Sequence, residues 1–265
     1  MRVHQVLVGA SPGDAVTNIA LAVADSLASS VESHIWALFV DPRMWPEVDT
    51  LLRMPPAEDA GPDDVIIFHL SIGDARVAEL VRRRPERLVV HYHNITPASF
   101  YAELDPDFAR QLASGRDQMR ELAGRADLVL ADSTFNAEEI QRWTDAPVQV
   151  VPPPLDYHRL DHVPVHDPTR HHFEVAVEVP VILHVGQVLP HKRPELLIAA
   201  MHLLTVELRV PAALVLVGPR RNGDYARAVQ HFIEELGLTN VAVIGEVTDG
   251  ELVAYLQAAT LFATA

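Results

Sequence analysis

Apolar residues along the chain follow two rhythms. Continuous apolar runs occupy residues 3–8, 34–39, 65–70, 88–93, 128–131 and 148–151. Runs of this length predict strands in a sheet that is covered on both faces. Between them, apolar positions recur every three or four residues. Val16, Ile19, Ala20, Val23 and Leu27 do so behind a capping Asp14, and Phe108, Leu112, Met119 and Leu122 do so behind Asp105 and Pro106. That spacing predicts amphipathic helices with an Asp N-cap and, in the second, a proline at the first helical position. Another helix is predicted over 77–84. Strands alternating with helices predict a parallel sheet with helices on both faces.

The rhythm lapses after residue 151, where Pro152-Pro-Pro-Leu-Asp156 leads into a polar stretch carrying His158, His162, His166, His171 and His172. Proline, charge and lost periodicity predict a boundary, with one domain over 1–155, a linker over 156–178 and a second domain over 179–265. The second domain begins with a strand at 181–186 and a helix opened by Pro194 that carries Leu197, Met201, Leu204 and Leu208. A strand at 213–217 follows, then a helix with Tyr225, Val229, Phe232 and Leu236, a strand at 241–244, a helix at 251–258 and a strand starting at 261. Gly237 is placed to end the middle helix. Three strands and the start of a fourth are few for a doubly wound sheet, so the second domain is expected to be incomplete and the chain a fragment.

Composition narrows the function classes. The chain has 265 residues, 49% of them apolar, and a net charge of -15 from 21 Lys+Arg against 36 Asp+Glu. Such a chain repels nucleic acid and anionic membrane as a whole, so an anionic ligand must be met by a local cationic site. The absence of cysteine excludes disulfides, thiolate metal ligands and thiol catalysis. No run of 18 apolar residues and no signal-peptide pattern are present, and the expectation is a cytoplasmic protein.

The stretch Val181-Ile-Leu-His-Val-Gly-Gln-Val-Leu-Pro-His-Lys-Arg-Pro194 organises the candidate chemistry. A strand ending at Gly186, a turn, and a helix starting at Pro194 place Lys192 and Arg193 at a helix N-terminus. Stability alone favours acids there, and a bound anion accounts for cations. The competing reading is an ordinary turn with a solvated lysine. In His91-Tyr-His-Asn-Ile-Thr-Pro97 the two histidines share one side of a strand, and His93, Asn94 and Thr96 lie nearest its C-terminal edge, where open α/β sheets bind ligands. A core histidine bonded to backbone is the bland alternative, favoured for His91. A metal pair lacks a third ligand at any readable spacing, and no metal is expected. Gly9, Gly13 and Asp41 invite a dinucleotide reading that their Gly-x-x-x-Gly spacing opposes. Asp105-Pro-Asp107 reads as a helix cap, and the histidines of 158–172 as a solvated linker.

Taken together, Pro12-Gly-Asp14, Phe68-His-Leu-Ser-Ile-Gly73, Tyr92-His-Asn-Ile-Thr-Pro97, Ala131-Asp-Ser-Thr-Phe-Asn136, Val151-Pro-Pro-Pro-Leu-Asp156 and His184-Val-Gly-Gln-Val-Leu-Pro-His-Lys192 resemble family 4 glycosyltransferases. The resemblance covers essentially the whole chain. It implies the GT-B fold, α/β with two Rossmann-like doubly wound parallel-sheet domains facing each other across a cleft, the second incomplete here. It also implies a retaining, metal-independent transfer of a hexosyl-type sugar from a nucleoside-diphosphate sugar, with no further cofactor. The acceptor, a glycan, lipid or small molecule, belongs to the N-terminal domain, with Gly13, Asp14, Asn94 and Thr96 on its side and His93 near the transferred sugar. The donor belongs to the C-terminal domain, at Gly186, Gln187, Lys192, Gly245 and Val247, with Lys192 on the diphosphate. At Gln187 the family usually carries an arginine, whose charge and planar fork suit phosphate. An acidic pair serving the sugar and the ribose is expected beyond residue 265, which makes the fragment inactive. Peripheral membrane contact stays open. The alternatives are a GT-B nucleotide-sugar epimerase and a non-catalytic nucleotide-sugar-binding or scaffolding subunit.

Overall fold

The computed structural model describes residues 1–154, 158–176, 179–220 and 222–265. Backbone contacts divide the chain into two compact units, Met1–Leu155 and Asp156–Ala265.

The first unit contains strands β1 (Arg2–Ala10), β2 (Glu32–Val40), β3 (Asp49–Thr50), β4 (Val65–Leu70), β5 (Arg87–Tyr92), β6 (Leu128–Ala131) and β7 (Val148–Val150). Its helices are α1 (Ala15–Leu27), α2 (Ala75–Arg83), α3 (Pro106–Ala123) and α4 (Thr134–Ile140). The strands form one parallel sheet in the order β3-β2-β1-β4-β5-β6-β7. The chain therefore runs outward from β1 in one direction and from β4 in the other, leaving a topological switch between them, where sheets of this kind open a crevice.

The two faces of this sheet are filled differently. Phe68, Leu70, Val90 and Tyr92 pack on Leu112, Met119 and Leu122 of α3, and all seven are nearly or fully buried. On the opposite face Leu7, Ile35 and Ala37 meet Ala20 of α1. Residues alternate along a strand, so that same face also receives Gln5, His69 and His91, each at most 1% exposed. These polar groups need partners inside the fold. The turn after β4 crosses α3 at a point without room for side chains: a Cβ on Gly73 would stand 2.4 Å from the Gly115 nitrogen.

The helices start where the sequence punctuates them. Asp14 accepts from the Thr17 backbone N–H and hydroxyl at 2.8 Å each, and Asp105 accepts from the Phe108 N–H with Pro106 behind it. Two elements went unpredicted because they are short: β3, a two-residue edge, and α4, seven residues capped by Ser133.

The second unit contains α5 (Asp167–Ala176), β8 (Val181–Val185), α6 (Pro194–His202), β9 (Ala213–Val217), α7 (Gly223–Glu235), β10 (Val241–Gly245), α8 (Asp249–Ala258) and β11 (Leu261–Phe262). Its parallel sheet has the order β10-β9-β8-β11. Leu214 and Leu216 face Ile198, Met201, Val229 and Ile233, and Leu183, Val215 and Val217 cover the other side. The histidine-rich stretch differs from the linker expected over 156–178. It holds α5, which packs on α8, and its His166 N–H donates to Gly250 O at 3.1 Å. Asp167-Pro168 is a helix start that the surrounding charge hid. The predicted helix behind Pro194 does reach past 202, but residues Leu203–Glu207 wind as a π-turn.

Asp64 ties the start of β1 to the loop before β4. It is 5% exposed in its side chain, and it accepts from the backbone N–H groups of Arg2 and Gly61 and from the Arg2 guanidinium. The two backbone N–H groups and the Arg2 charge hold its carboxyl well below the usual range, against the effect of burial. A depressed carboxylate contributes stability above its unfolded pKa, ordinarily about 4, and loses it as pH falls. Asp64→Asn is therefore expected to lower the urea midpoint at pH 7, with the gap to the parent chain narrowing at pH 3. Equal gaps at the two pH values would exclude the ionised carboxylate as the cause.

Candidate functional site

In the first unit the strand ends bring together residues far apart in sequence. His69 on β4 is registered directly beside His91 on β5, and His93 N–H continues the ladder by donating to Leu70 O at 3.0 Å. Asp132, just past β6, accepts from His91 Nε2 at 3.0 Å and from His93 Nδ1 at 2.9 Å. His93 Nε2 lies 2.9 Å from His69 Nδ1, and His69 Nε2 lies 2.8 Å from Gln5 Oε1. Burial pushes the Asp132 carboxyl up, but the hydrogen bonds from His91 and His93 outweigh it and hold the group at about 2. Burial lowers His69 well below the ordinary histidine value, helped by the neighbouring rings. Burial also lowers His93, and Asp132 opposes that shift.

His93 was expected to reach a sugar. Its ring is 1% exposed, so the groups reachable at this edge are those that follow it. Asn94 is held at a φ of 67°, a left-handed conformation that asparagine tolerates better than most residues. The turn around it is fixed from below: Tyr92 donates to Glu139, Glu139 pairs with Arg116, and Arg116 donates to Ile95 O at 2.6 Å. Thr96 is half-buried in the same turn.

A cleft of about 840 Å³ opens at the topological switch, above the ends of β1 and β2. Asp14, Ser11, Asp41, Trp45, Ser71 and Gln111 are among its lining residues. Asp14 is thus placed in a cavity, with the Gly13 turn (φ 74°) beside it. Asn94, Thr96 and His93 are not among the lining residues. Trp45 and Phe39, also at the cleft, are exposed aromatics that sequence reasoning passed over, and Phe39 carries the Arg76 guanidinium 5.2 Å above its ring. A large aromatic left exposed at a strand end was the available signal.

In the second unit the strands β8, β9 and β10 each end in a glycine. Gly186 N–H donates to Val217 O, Gly218 N–H to Gly245 O, and Val188 N–H to Pro219 O. A Cβ on Gly218, whose φ is +147°, would lie 2.0 Å from Gly186 O, so the two turns pass in direct backbone contact. Gly245 is also left-handed, at 99°, and Val247 packs on the face beneath it. Under Gly186, His184 Nδ1 bonds Ala263 O while its buried Nε2 has no partner among the described residues. Gln187 follows Gly186 in the turn, and Lys192 lies in the 3₁₀ turn Pro190–Lys192. Arg193 occupies the N-cap of α6 at a φ of 51°, makes no cap bond with its side chain, and pairs with Glu195 instead. Lys192 is exposed, and no acid pairs with it among the described residues. The predicted Gly186, Gln187 and Lys192 therefore share one turn, with Gly245 one contact away through Gly218. Gly218 was overlooked, although it closes a strand in the same manner as the other two.

Comparison with known proteins agrees with this architecture. Residues 167–265 match the family model for glycosyl transferases group 1. Comparison with the curated proteins gives no match. Among solved structures, sucrose-phosphate synthase from Thermosynechococcus elongatus superposes with a TM-score of 0.67 at 17% identity, over 99% of this chain and 74% of that one. HepE from Anabaena in complex with UDP-glucose gives 0.66 at 19% identity, over 100% and 73%. WaaG, a glycosyltransferase involved in lipopolysaccharide biosynthesis, gives 0.62 at 14%, over 97% and 72%. The fold is thus of the GT-B type.

The close crossing at Gly218 makes a sharp demand. Gly218→Ala adds a methyl where a carbonyl oxygen already stands and forbids the native φ, so a loss of about 3 kcal/mol or more is expected. Urea unfolding checks it, and a variant as stable as the parent would mean that the two turns do not meet.

Proposed function

We propose that the chain is a glycosyltransferase that binds a nucleoside-diphosphate sugar in its second unit and an acceptor in its first. The observation that carries this reading is the second-unit turn. There, Gly186 and Gly218 meet in backbone contact beside an exposed Lys192, which no acid pairs with among the described residues, and a helix start without a side-chain cap. Backbone N–H groups, a helix dipole and a cation suit a diphosphate, which gathers negative charge as the glycosidic bond breaks. Lys192 would then stabilise the leaving group more in the transition state than in the ground state. Retention, membership of family 4, a hexosyl donor and the lack of a cofactor follow the sequence resemblance. Uridine is the first nucleoside to test, since HepE is described with UDP-glucose.

The acceptor reading rests on the cleft beside Asp14, where a carboxylate, hydroxyls and exposed aromatic faces offer a sugar or similar polyol both hydrogen bonds and flat apolar contact. His93 enters as a buried support of the strand end, and Asn94 and Thr96 are the groups that remain to meet a ligand. Gln187 favours a second reading, a subunit that binds the donor without transferring it, because it forgoes the usual guanidinium. Binding is the direct test of the diphosphate contact, because it reads that contact without requiring turnover.

Titration with UDP by calorimetry at two salt concentrations tests the donor site that both readings share, and transfer from UDP-glucose separates the two. Lys192→Ala is expected to weaken binding by roughly 1.5–3 kcal/mol, about ten-fold to more than a hundred-fold. Gln187→Arg is expected to tighten it, with a gain that shrinks as salt rises because the added attraction is screened. If Lys192→Ala binds like the parent, the turn holds no diphosphate.

A further inference from the structure

The buried polar face of the first sheet contains a proton count that does not close. The Gln5 amide is oriented by its own donation to Ala20 O at 2.9 Å, which turns Oε1 toward His69. Oε1 accepts only, so His69 carries its proton on Nε2 and presents a lone pair at Nδ1. Asp132, ionised, also accepts only, so His91 carries a proton on Nε2 and His93 on Nδ1. The lone pairs left over are His69 Nδ1, His93 Nε2 and His91 Nδ1. The first two face each other at 2.9 Å across rings parallel within 3°. The third, on a residue 1% exposed, has no partner among the described residues. Two facing lone pairs and one orphan, all buried, are an unstable set unless something positive joins them.

We infer that His69, His91 and His93 form a binding site for a nitrogen-preferring divalent metal ion of the zinc class, buried beneath the C-terminal edge of the first sheet. One nitrogen from each ring lies within 4.8 Å of the other two. Ligand nitrogens on a tetrahedral zinc stand about 3.4 Å apart, so modest rotation of the rings closes the site. Each ring's outer N–H is already held by a carboxylate or an amide, the support that metal-bound histidines use to fix their tautomer. Imidazole nitrogens exclude magnesium and calcium as preferred ions, which require oxygen ligands. Asp132, 16% exposed in its side chain, is more accessible than the His93 ring it binds. Its charge, with that of Asp14 near His93, offsets the ion's. The ion would pin β4 to β5 and, through Asp132, to the end of β6. This role is structural, lies outside the transfer chemistry and holds whether or not the second unit binds a nucleotide.

The test uses the whole chain, stripped with a chelator and titrated with Zn²⁺ alone, reading stoichiometry by metal analysis and the thermal midpoint. One ion per chain and a rise of several degrees are expected. His69→Gln and His91→Gln are each expected to weaken binding by about a hundred-fold or more, and Asp132→Asn by about ten- to a hundred-fold through loss of the outer support. The exposed histidines of the second unit are the competing site. A chain with His158→Gln, His162→Gln, His166→Gln and His171→Gln combined is expected to bind zinc like the parent. If a histidine variant of the first unit fails to fold, Co²⁺ absorption of the parent and of this quadruple variant decides, both giving the intense visible bands of a low-coordinate nitrogen site. Absence of binding in the parent would overturn the inference, leaving a shared proton between His69 and His93. Loss of binding in the quadruple variant would overturn it equally.

Discussion

A carboxylate that stays ionised in a largely buried position must be surrounded by donors, and at Asp132 the donors are two histidines on one strand. This single requirement orders much of the first unit. It fixes which nitrogen of each ring carries the proton, it demands that β5 present His91 and His93 on the same side, and it leaves their remaining nitrogens facing His69. The apolar face of the sheet can then be devoted to helix packing, where Leu112, Met119 and Leu122 of α3 and Val77 and Val81 of α2 fill the space. Burying polar groups on one face costs free energy that only complete pairing returns, which is why the incomplete pairing at His91 Nδ1 is informative.

The second unit is governed by exclusion of volume. Gly218 lies so close to the Gly186 carbonyl that its turn can carry no side chain at the crossing. Lys192 and the start of α6 lie a few residues beyond this crossing. Cations cluster where the helix dipole is already positive, an arrangement that isolated stability disfavours and an anionic ligand reverses.

The sequence made the long elements legible. β1, β2, β4, β5 and the helices from Asp14, Asp105 and Pro194 fall where apolar rhythm and capping residues put them, because burial on two faces leaves a continuous apolar run and burial on one leaves a 3.6-residue period. What escaped was either too short for a period or dependent on a distant partner. β3 spans two residues. The helix over Asp167–Ala176 is masked by charge and histidine, and its signal reduces to Asp167-Pro168. His69 and Asp132 both lay in stretches recognised as family-like, yet neither could be joined to His91 and His93, because their proximity arises from strand register across 22 and 41 residues. The turn from Gly186 to Pro194 was readable locally, whereas Gly218, which packs against it, follows the next strand.

Gln5 deserves a last consequence. Its amide reaches from the middle of β1 to the carbonyl of Ala20 on α1, and α1 begins at Asp14, which lines the cleft. A helix moves as a rigid rod along its axis, with 1.5 Å between successive residues, so a pull on Asp14 is delivered one and a half turns later to the amide that orients His69. The cleft wall at Asp14 and the amide that orients His69 are thus held by one rigid element.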